Sequence, residues 1–304
     1  MIAKALLLRE LVSEALAGQA VLITGSSGWF GQALLALIDQ RQVKTLYLQS
    51  RNEVVVKRHG KLEASIKPGD FEATADVIID LAFETRDKHG SRSEVHNAIS
   101  GNNSLLDAVD GYLTSRRFGR YLGISSGAAA EQNTRDPYGS AKAKLEQIFH
   151  EKGTEEDRIA RVWSVSGAFC TKPKLFAFSD FMTQAMQGDS IDVKATSLTY
   201  RRYCAIEEVL AILISGKCPP LFDSGGHLIE IGDLALAIGK ALNPSASVNR
   251  EVDETAPKSN YYSTEQSFED CLTHLGLVPM TLEEQIENAL RGFASKQVGN
   301  NPGI

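Results

Sequence analysis

The chain has 304 residues, 43% apolar and 23% charged, with Gly 25 and Pro 9, which is the composition of an ordinary globular protein and excludes a fibre, a disulfide miniprotein or a disordered linker. Lys+Arg 32 against Asp+Glu 38 gives a formal charge of −6, so no net positive field draws in a polynucleotide and nucleic acid is not expected as a partner. Cys170, Cys204, Cys218 and Cys271 form no CxxC pair and the six histidines show no ligand spacing, so no metal is expected and a reducing, cytoplasmic location fits.

Lys4 followed by Ala5-Leu6-Leu7-Leu8 has the look of a secretory leader, but Arg9, Glu10 and Glu14 interrupt the apolar run. Ile2, Ala5, Leu8, Leu11, Val12, Ala15 and Leu16 instead form a helical stripe, and an amphipathic helix beside the first strand is expected. No apolar run reaches the ~18 residues of a membrane span. The longest, Val209 to Ile214, reads as a buried helix segment.

From Ala20 short apolar runs alternate with helical stretches, the pattern of parallel strands joined by crossovers. Strands are expected at Ala20–Thr24, Thr45–Gln49, Leu62–Ile66, Val77–Leu81, Tyr121–Ser125 and Ile159–Ser164, with Val54–Lys57 pairing locally to the third through His59-Gly60. Helices are expected over Gln32–Gln40, Ser93–Arg116 and, behind Pro137, Tyr138–Lys152. Beyond Gly167 come a loop and helix over Pro173 to Gln187, short strands near Ile191–Val193 and Arg202–Ile206, and a helical carboxy-terminal third. There Ser263-x-x-Gln266 and Thr281-x-x-Glu284 have capping-box form, and Lys296 to Ile304 reads as a frayed tail. The expected fold class is α/β: a doubly wound parallel sheet with a smaller, discontinuous α+β region. Residues 1–167 with 205–230 form the first part, and 168–204 with 231–304 the second.

Gly25-Ser-Ser-Gly28-Trp-Phe-Gly31 lies between an expected strand and an expected helix. Glycines there let a pyrophosphate approach the backbone, and the helix start offers amides and a positive dipole end. The alternative is a packed turn without a ligand. An NAD-binding unit places Asp or Glu at the end of the second strand to accept from the adenosine ribose, but Gln49-Ser50-Arg51 stands here and no carboxylate follows until Glu53. Arg51 suits a 2′-phosphate, so NADP(H) is favoured, with NAD(H) as the alternative and a solvated surface charge as the plainest reading.

Tyr138-Gly-Ser-Ala-Lys142 puts a phenol and an ammonium on one helical face. A cation so near stabilises the phenolate and makes the phenol a usable acid or base near neutrality. Ser125-Ser126 ends the strand just upstream, and ligands gather at the carboxyl ends of strands in such sheets. Cys170 and the stripe Phe176, Phe178, Phe181 read as core more readily than as site, and His89 and His96 as solvent-facing.

With these motifs the chain resembles the extended short-chain dehydrogenase/reductases, the NAD-dependent epimerase/dehydratase family. The resemblance rests on Thr24-Gly25-x-x-Gly28-x-x-Gly31, Gly69-Asp70-Phe71, Asp76 to Ala82, Asn97 to Leu105, Ser125-Ser126, Tyr138-x-x-x-Lys142, Arg161 to Gly167 and Arg201 to Glu208. It implies a Rossmann-type dinucleotide domain, a nucleotide-sugar substrate, and a homodimer through the helices around Ser93–Arg116 and Tyr138–Lys152. Catalysis falls to Ser126, Tyr138 and Lys142. The cofactor falls to Gly25, Ser27, Gly28, Trp29, Phe30, Gly31, Ser50, Arg51, Asp70, Phe71, Leu81 and Ala82, together with Tyr138 and Lys142, and the substrate to Ser126 and Arg201, the latter on its diphosphate. Ser164 and Ala168 depart from the family's usual Asn and Pro.

Gly127-Ala-Ala-Ala130 follows the expected catalytic hydroxyl, where the family's 4,6-dehydratases carry an acid pair and its 3,5-epimerase–reductases a cysteine. Dehydration is therefore disfavoured, although Leu48 to Glu53 is similar to the NADP segment of the latter group. Reduction of a 4-keto-sugar ranks first, on Arg51 alone. A 4-epimerase ranks second, and a non-catalytic dinucleotide-binding sensor or scaffold is the alternative of another class.

Overall fold

The computed structural model describes residues 2–68, 74–84, 92–130, 136–188 and 190–299, with side chains at 4–68, 74–84, 99–130, 136–188 and 190–292. In chain order the first elements are α1 (Ile2–Ala15), β1 (Ala20–Thr24), α2 (Trp29–Leu37), β2 (Thr45–Gln49), β3 (Val54–Arg58), β4 (Lys61–Ile66), β5 (Ala75–Asp80), α3 (Arg92–Ser115), β6 (Phe118–Ser126), α4 (Pro137–Lys152) and β7 (Arg158–Val162). There follow β8 (Ser164–Ser166), α5 (Ala177–Gln187), β9 (Ser190–Asp192), β10 (Thr199–Ala205), α6 (Ile206–Ser215), β11 (Leu221–Asp223), β12 (His227–Glu230), α7 (Ile231–Leu242), β13 (Ser247–Asn249), β14 (Ser259–Tyr261), α8 (Ser267–His274) and α9 (Leu282–Gly299). They form two compact units, one running to Val162 and taking in Val209–Asp223, the other running from Trp163 to Glu208 and from Ser224 onward.

The first unit is built on a sheet whose order among the described residues is β11-β7-β6-β5-β1-β2-β3-β4. From β11 to β2 every pairing is parallel. Val21-Leu22-Ile23 and Val77-Ile78-Ile79 are wholly buried, as continuous apolar runs are when both faces of a parallel sheet are covered. Leu106, Val109 and Leu113 of α3 and Leu145, Ile148 and Phe149 of α4 recur at helical spacing and close one face over Leu22, Ile78 and Tyr121. Pro137 opens α4 at a position where a missing N–H costs nothing, and Asp136 caps it by accepting from the Tyr138 amide. Val209 to Ile214 of α6 are buried throughout. No helix among the described residues is long and apolar enough to cross a membrane.

Several local expectations need correction. The third strand is no parallel crossover: β2, β3 and β4 form an antiparallel meander. His59 (φ 45°) and Gly60 (φ 78°) both lie in the left-handed region, the two-residue turn that closes a tight hairpin, and β4 is an exposed edge. Ile159–Ser164 is two strands, because the Trp163 amide leaves the ladder to donate to Ser224 Oγ at 2.9 Å; β7 stays in the large sheet and β8 pairs β10. The amino-terminal helix packs on the carboxyl end of α2, where Ser13 Oγ donates to Leu37 O and accepts from the Asp39 amide.

In the second unit β10 pairs antiparallel with β12 and parallel with β14 and β8, and β13 pairs with β9. Its core gathers Phe178, Phe181, Met182, Ile191, Tyr203, Leu234, Ile238 and Ile286, so Phe178 and Phe181 are core, whereas Phe176 is half-buried at the cap of α5. Thr281 and Glu284 exchange their reciprocal bonds at the start of α9. Ser263 and Gln266 do not form such a box: Ser263 Oγ accepts from the Glu265 amide, ahead of α8. The helical backbone of α9 continues to Gly299, four residues into the expected tail.

Candidate active site

The turn after β1 brings three backbones into contact. Gly25 has φ +61°, and a Cβ there would stand 2.7 Å from Leu81 O and 2.8 Å from Ala82 N. One on Gly31 would stand 2.5 Å from Gly25 O. Packing alone therefore requires these two glycines. Gly28 differs, since its added Cβ would meet only Gly25 O, at 3.2 Å, and it caps α2 with extended backbone and no side-chain bond. This opening beside a helix start is the feature of the turn that fits an anion. Ser27 is exposed, Phe30 half-buried, and Trp29 buried with its ring 6.3 Å from that of Phe30.

Asp80, the last residue of β5, ties the adjoining strands together. Thr24 Oγ1 donates to its Oδ1 and the Tyr121 hydroxyl to its Oδ2 at 3.0 Å. The Thr24 oxygen in turn accepts from the Leu81 and Ala82 amides, both at 3.2 Å. Burial pushes the Asp80 carboxyl above its ordinary range, against the pull of these bonds and of Lys142.

The following segment carries the site onward. Phe83 meets the Tyr138 ring edge-on at 5.7 Å between centroids, and Lys142 Nζ lies 3.5 Å above the Phe83 ring. Lys142 is 3% exposed and donates to Ile124 O at 2.7 Å. Burial lowers its ammonium to about 7, against the opposing effects of Asp80 and Glu146. Of the two expected serines, Ser125 is engaged elsewhere: its Oγ donates to Glu146 Oε1 at 2.5 Å, and Glu146 is held by Arg161. Ser126 stands at the end of β6, its Oγ accepting from the Ala128 amide at 3.3 Å.

Arg51, just after β2, lies against a carboxylate. Its Nη2 lies 2.6 Å from Glu84 Oε1, with the Arg51 side chain 81% exposed. Ser50 turns back onto Glu53, donating from its amide and hydroxyl to Glu53 O. Asp70 and Phe71 lie outside the described residues, as do the side chains of His89 and His96. Arg201, in the second unit, donates to Tyr200 O and lies 5.1 Å from the centroid of Tyr261, whose ring meets Trp163 at 5.0 Å. Cys170 is buried. Phe83 and Glu84 escaped the sequence reading, since nothing in Ala82-Phe83-Glu84 marks it beyond following a strand. Among the described residues no group of His, Cys, Asp and Glu is placed to hold a metal ion.

No protein-family model matches the chain, and a search of curated proteins gives no match. Solved structures do match. An epimerase from Methanothermobacter thermautotrophicus is similar with a TM-score of 0.69 at 16% identity, over 96% of each chain. The UDP-N-acetylglucosamine 4-epimerase of Methanobrevibacter ruminantium, in complex with UDP-N-acetylmuramic acid, is similar with a TM-score of 0.68 at 17% identity, over 92% of this chain and 99% of that one. The Bordetella bronchiseptica enzyme WbmF in complex with NAD+ is similar with a TM-score of 0.64 at 17% identity, over 93% and 95%. The likeness is one of fold: a Rossmann-type α/β architecture shared with these enzymes.

Proposed function

We propose that the protein is a nicotinamide-dinucleotide-dependent enzyme acting at a ring carbon of a nucleotide-activated sugar, and that its reaction is 4-epimerisation. One observation carries the reading: in the first unit a continuous line of contacts leads from the glycine turn, through Leu81 and Ala82, to Phe83 and so to Tyr138 and Lys142. That line has the polarity a dinucleotide needs, with an anion-compatible helix start at one end and acid–base side chains at the other. The residues fit such a cofactor at Gly28, where no side chain occupies the start of α2.

The bound nicotinamide would supply reversible hydride exchange with a sugar carbon. Tyr138 takes the proton of the hydroxyl on that carbon and returns it. Ser126 holds the same oxygen, and Lys142 binds the nicotinamide ribose and, when charged, favours the Tyr138 phenolate. In the second unit, Arg201 is assigned to the substrate diphosphate on its motif. The four residues from Gly127 to Ala130 offer no titratable side chain for eliminating water.

The order of epimerase and reductase turns on Arg51. An NADPH-driven 4-keto reductase ranks first only while that guanidinium awaits a 2′-phosphate, and here Glu84 holds it. Likeness of fold to a UDP-N-acetylglucosamine 4-epimerase and to an NAD+-bound enzyme supports the same order. Net reduction stays as a second reading because the Arg51 side chain is largely exposed and can leave its partner.

The test denatures purified protein, identifies any released dinucleotide by mass spectrometry, and offers a panel of UDP- and GDP-hexoses while NMR follows inversion at C4. Inversion by the wild type is expected. Its loss in Tyr138→Phe is expected too, with dinucleotide affinity kept within about threefold, since a phenol proton contributes little to binding. Oxidation of NADPH by nucleotide 4-keto-sugars without inversion establishes the second reading instead. Activity retained in Tyr138→Phe overturns the mechanism in either form.

A further inference from the structure

On the dinucleotide reading above, we propose that Glu84 is the cofactor-specificity residue: delivered from the end of β5, it supplies the carboxylate that the end of β2 lacks. It would accept from the adenosine ribose hydroxyls and neutralise Arg51, so that the site selects NAD over NADP.

The topology makes the substitution possible. β5, β1 and β2 are adjacent and parallel, so their carboxyl ends lie side by side with the Gly25 turn in the middle. Arg51 follows β2, Glu84 follows β5, and the two side chains meet at 2.6 Å. Gln49-Ser50-Arg51 provides no acid, and the next one in sequence is occupied: Glu53 Oε2 accepts from Ser65 Oγ at 2.7 Å, toward the β4 edge.

Glu84 is also the better anchored partner. Its amide donates to Asn102 Oδ1 at 2.8 Å, Asn102 Nδ2 donates back to Glu84 O at 3.1 Å, and Asn102 is 4% exposed. On the same helix Gly101 leaves room for the carboxylate, for an added Cβ would stand 3.2 Å from Glu84 Oε1 and 3.4 Å from its Cδ. A glycine inside a helix is unfavourable relative to alanine, and this one coincides with the seat of the carboxylate. The Glu84 side chain is 35% exposed against 81% for Arg51, so the carboxylate is the fixed element and the guanidinium the movable arm.

The chemistry then separates the two dinucleotides. Ribose hydroxyls donate to a fixed carboxylate. A 2′-phosphate brings its own negative charge against Glu84 and must compete for Arg51, and like charges so close disfavour each other.

The experiment titrates NADH and NADPH into wild type, Glu84→Gln and Glu84→Gln/Arg51→Ala, reading dissociation constants by calorimetry, with thermal melts to confirm that each variant folds. Wild type is expected to prefer NADH. Glu84→Gln should weaken NADH about tenfold, the loss of a charge-assisted hydrogen bond, and should tighten NADPH as Arg51 is released. Adding Arg51→Ala should remove the NADPH gain. Gly101→Ala, which crowds the carboxylate and leaves its charge, should weaken NADH and leave NADPH unimproved. A wild type that prefers NADPH, or a preference unmoved in Glu84→Gln, overturns the proposal while leaving the dinucleotide reading intact. Failure of the wild type to bind either dinucleotide overturns both.

Discussion

Lys142 offers the sharpest physical test, because its burial leaves a signature in stability that needs no substrate. Its ammonium is lowered from an ordinary 10.5 to about 7. At 1.36 kcal/mol per pH unit, that gap makes the charged form about 5 kcal/mol less favourable in the fold than in the unfolded chain. The unfolded chain therefore binds the extra proton between about pH 7 and 10.5, and the contribution of Lys142 to stability should rise with pH across that window and level off below it. Lys142→Met removes the titration while keeping most of the buried aliphatic volume. It also removes the bond to Ile124 O, a loss of about 1–3 kcal/mol that does not vary with pH. The slope, not the offset, is thus diagnostic. From pH 7 to 9.5 the wild type should gain about 3 kcal/mol on the variant. Urea unfolding reads this when Trp163→Phe is introduced in both proteins, leaving Trp29, buried in the first unit, as the only tryptophan. A stability difference that stays flat from pH 6 to 9.5, or that falls as pH rises, would refute the buried, half-titrated lysine.

Two further outcomes follow from packing and burial. Gly31→Ala should destabilise the first unit by about 2–3 kcal/mol, since the new methyl would lie 2.5 Å from a backbone oxygen that cannot swing aside; Gly18→Ala, with φ +70° and nothing within 4 Å, should cost only about 1–2 kcal/mol, and equal urea midpoints for the two variants would contradict the packing argument. Glu207 is buried, its Oε2 has no hydrogen-bond partner, and burial raises its carboxyl above the ordinary 4.5, so its contribution to stability should fall as pH rises from 4.5. Glu207→Gln should melt higher than wild type at pH 8 and lose that advantage by pH 4, and thermal melts across that range check it.

What the sequence displayed, it displayed through run length and punctuation. Val21-Leu22-Ile23 and Val77-Ile78-Ile79 are uninterrupted, bounded by glycine or a polar residue, and fit only strands covered on both faces. Pro137 and the spacing from Tyr138 to Lys142 place α4 and set both residues on it. The hairpin of β3 and β4 was legible, because the two-residue turn at His59-Gly60 allows only antiparallel pairing, whereas its antiparallel attachment to β2 depends on which edge of β2 is free. The break at Trp163 depends on a tertiary bond to Ser224, sixty-one residues away, and no local pattern carries it. The same holds for charge. Arg51 reads alike whether it awaits a phosphate or meets Glu84, because the partner lies thirty-three residues on and is brought there by strand order.

The four residues after β5 explain why the site held more than its motifs. Leu81 and Ala82 lie against the glycine turn by their backbone, so what matters there is the missing Cβ at Gly25. Phe83 and Glu84 act by their side chains, one on Lys142 and Tyr138, the other on Arg51. A ring over a buried ammonium recovers only about 0.5–2 kcal/mol, less than the desolvation that holds Lys142 near 7. Asp80 does not make up the difference, because burial raises its own carboxyl and weakens the negative charge it presents. Beyond its bond to Ile124 O the ammonium faces the Phe83 ring, and acceptor oxygens reaching it in place of that ring would stabilise its charge. On the proposed mechanism, Lys142 would then gain charge as it gains a polar ligand, coupling occupancy of the site to the protonation state that would tune Tyr138.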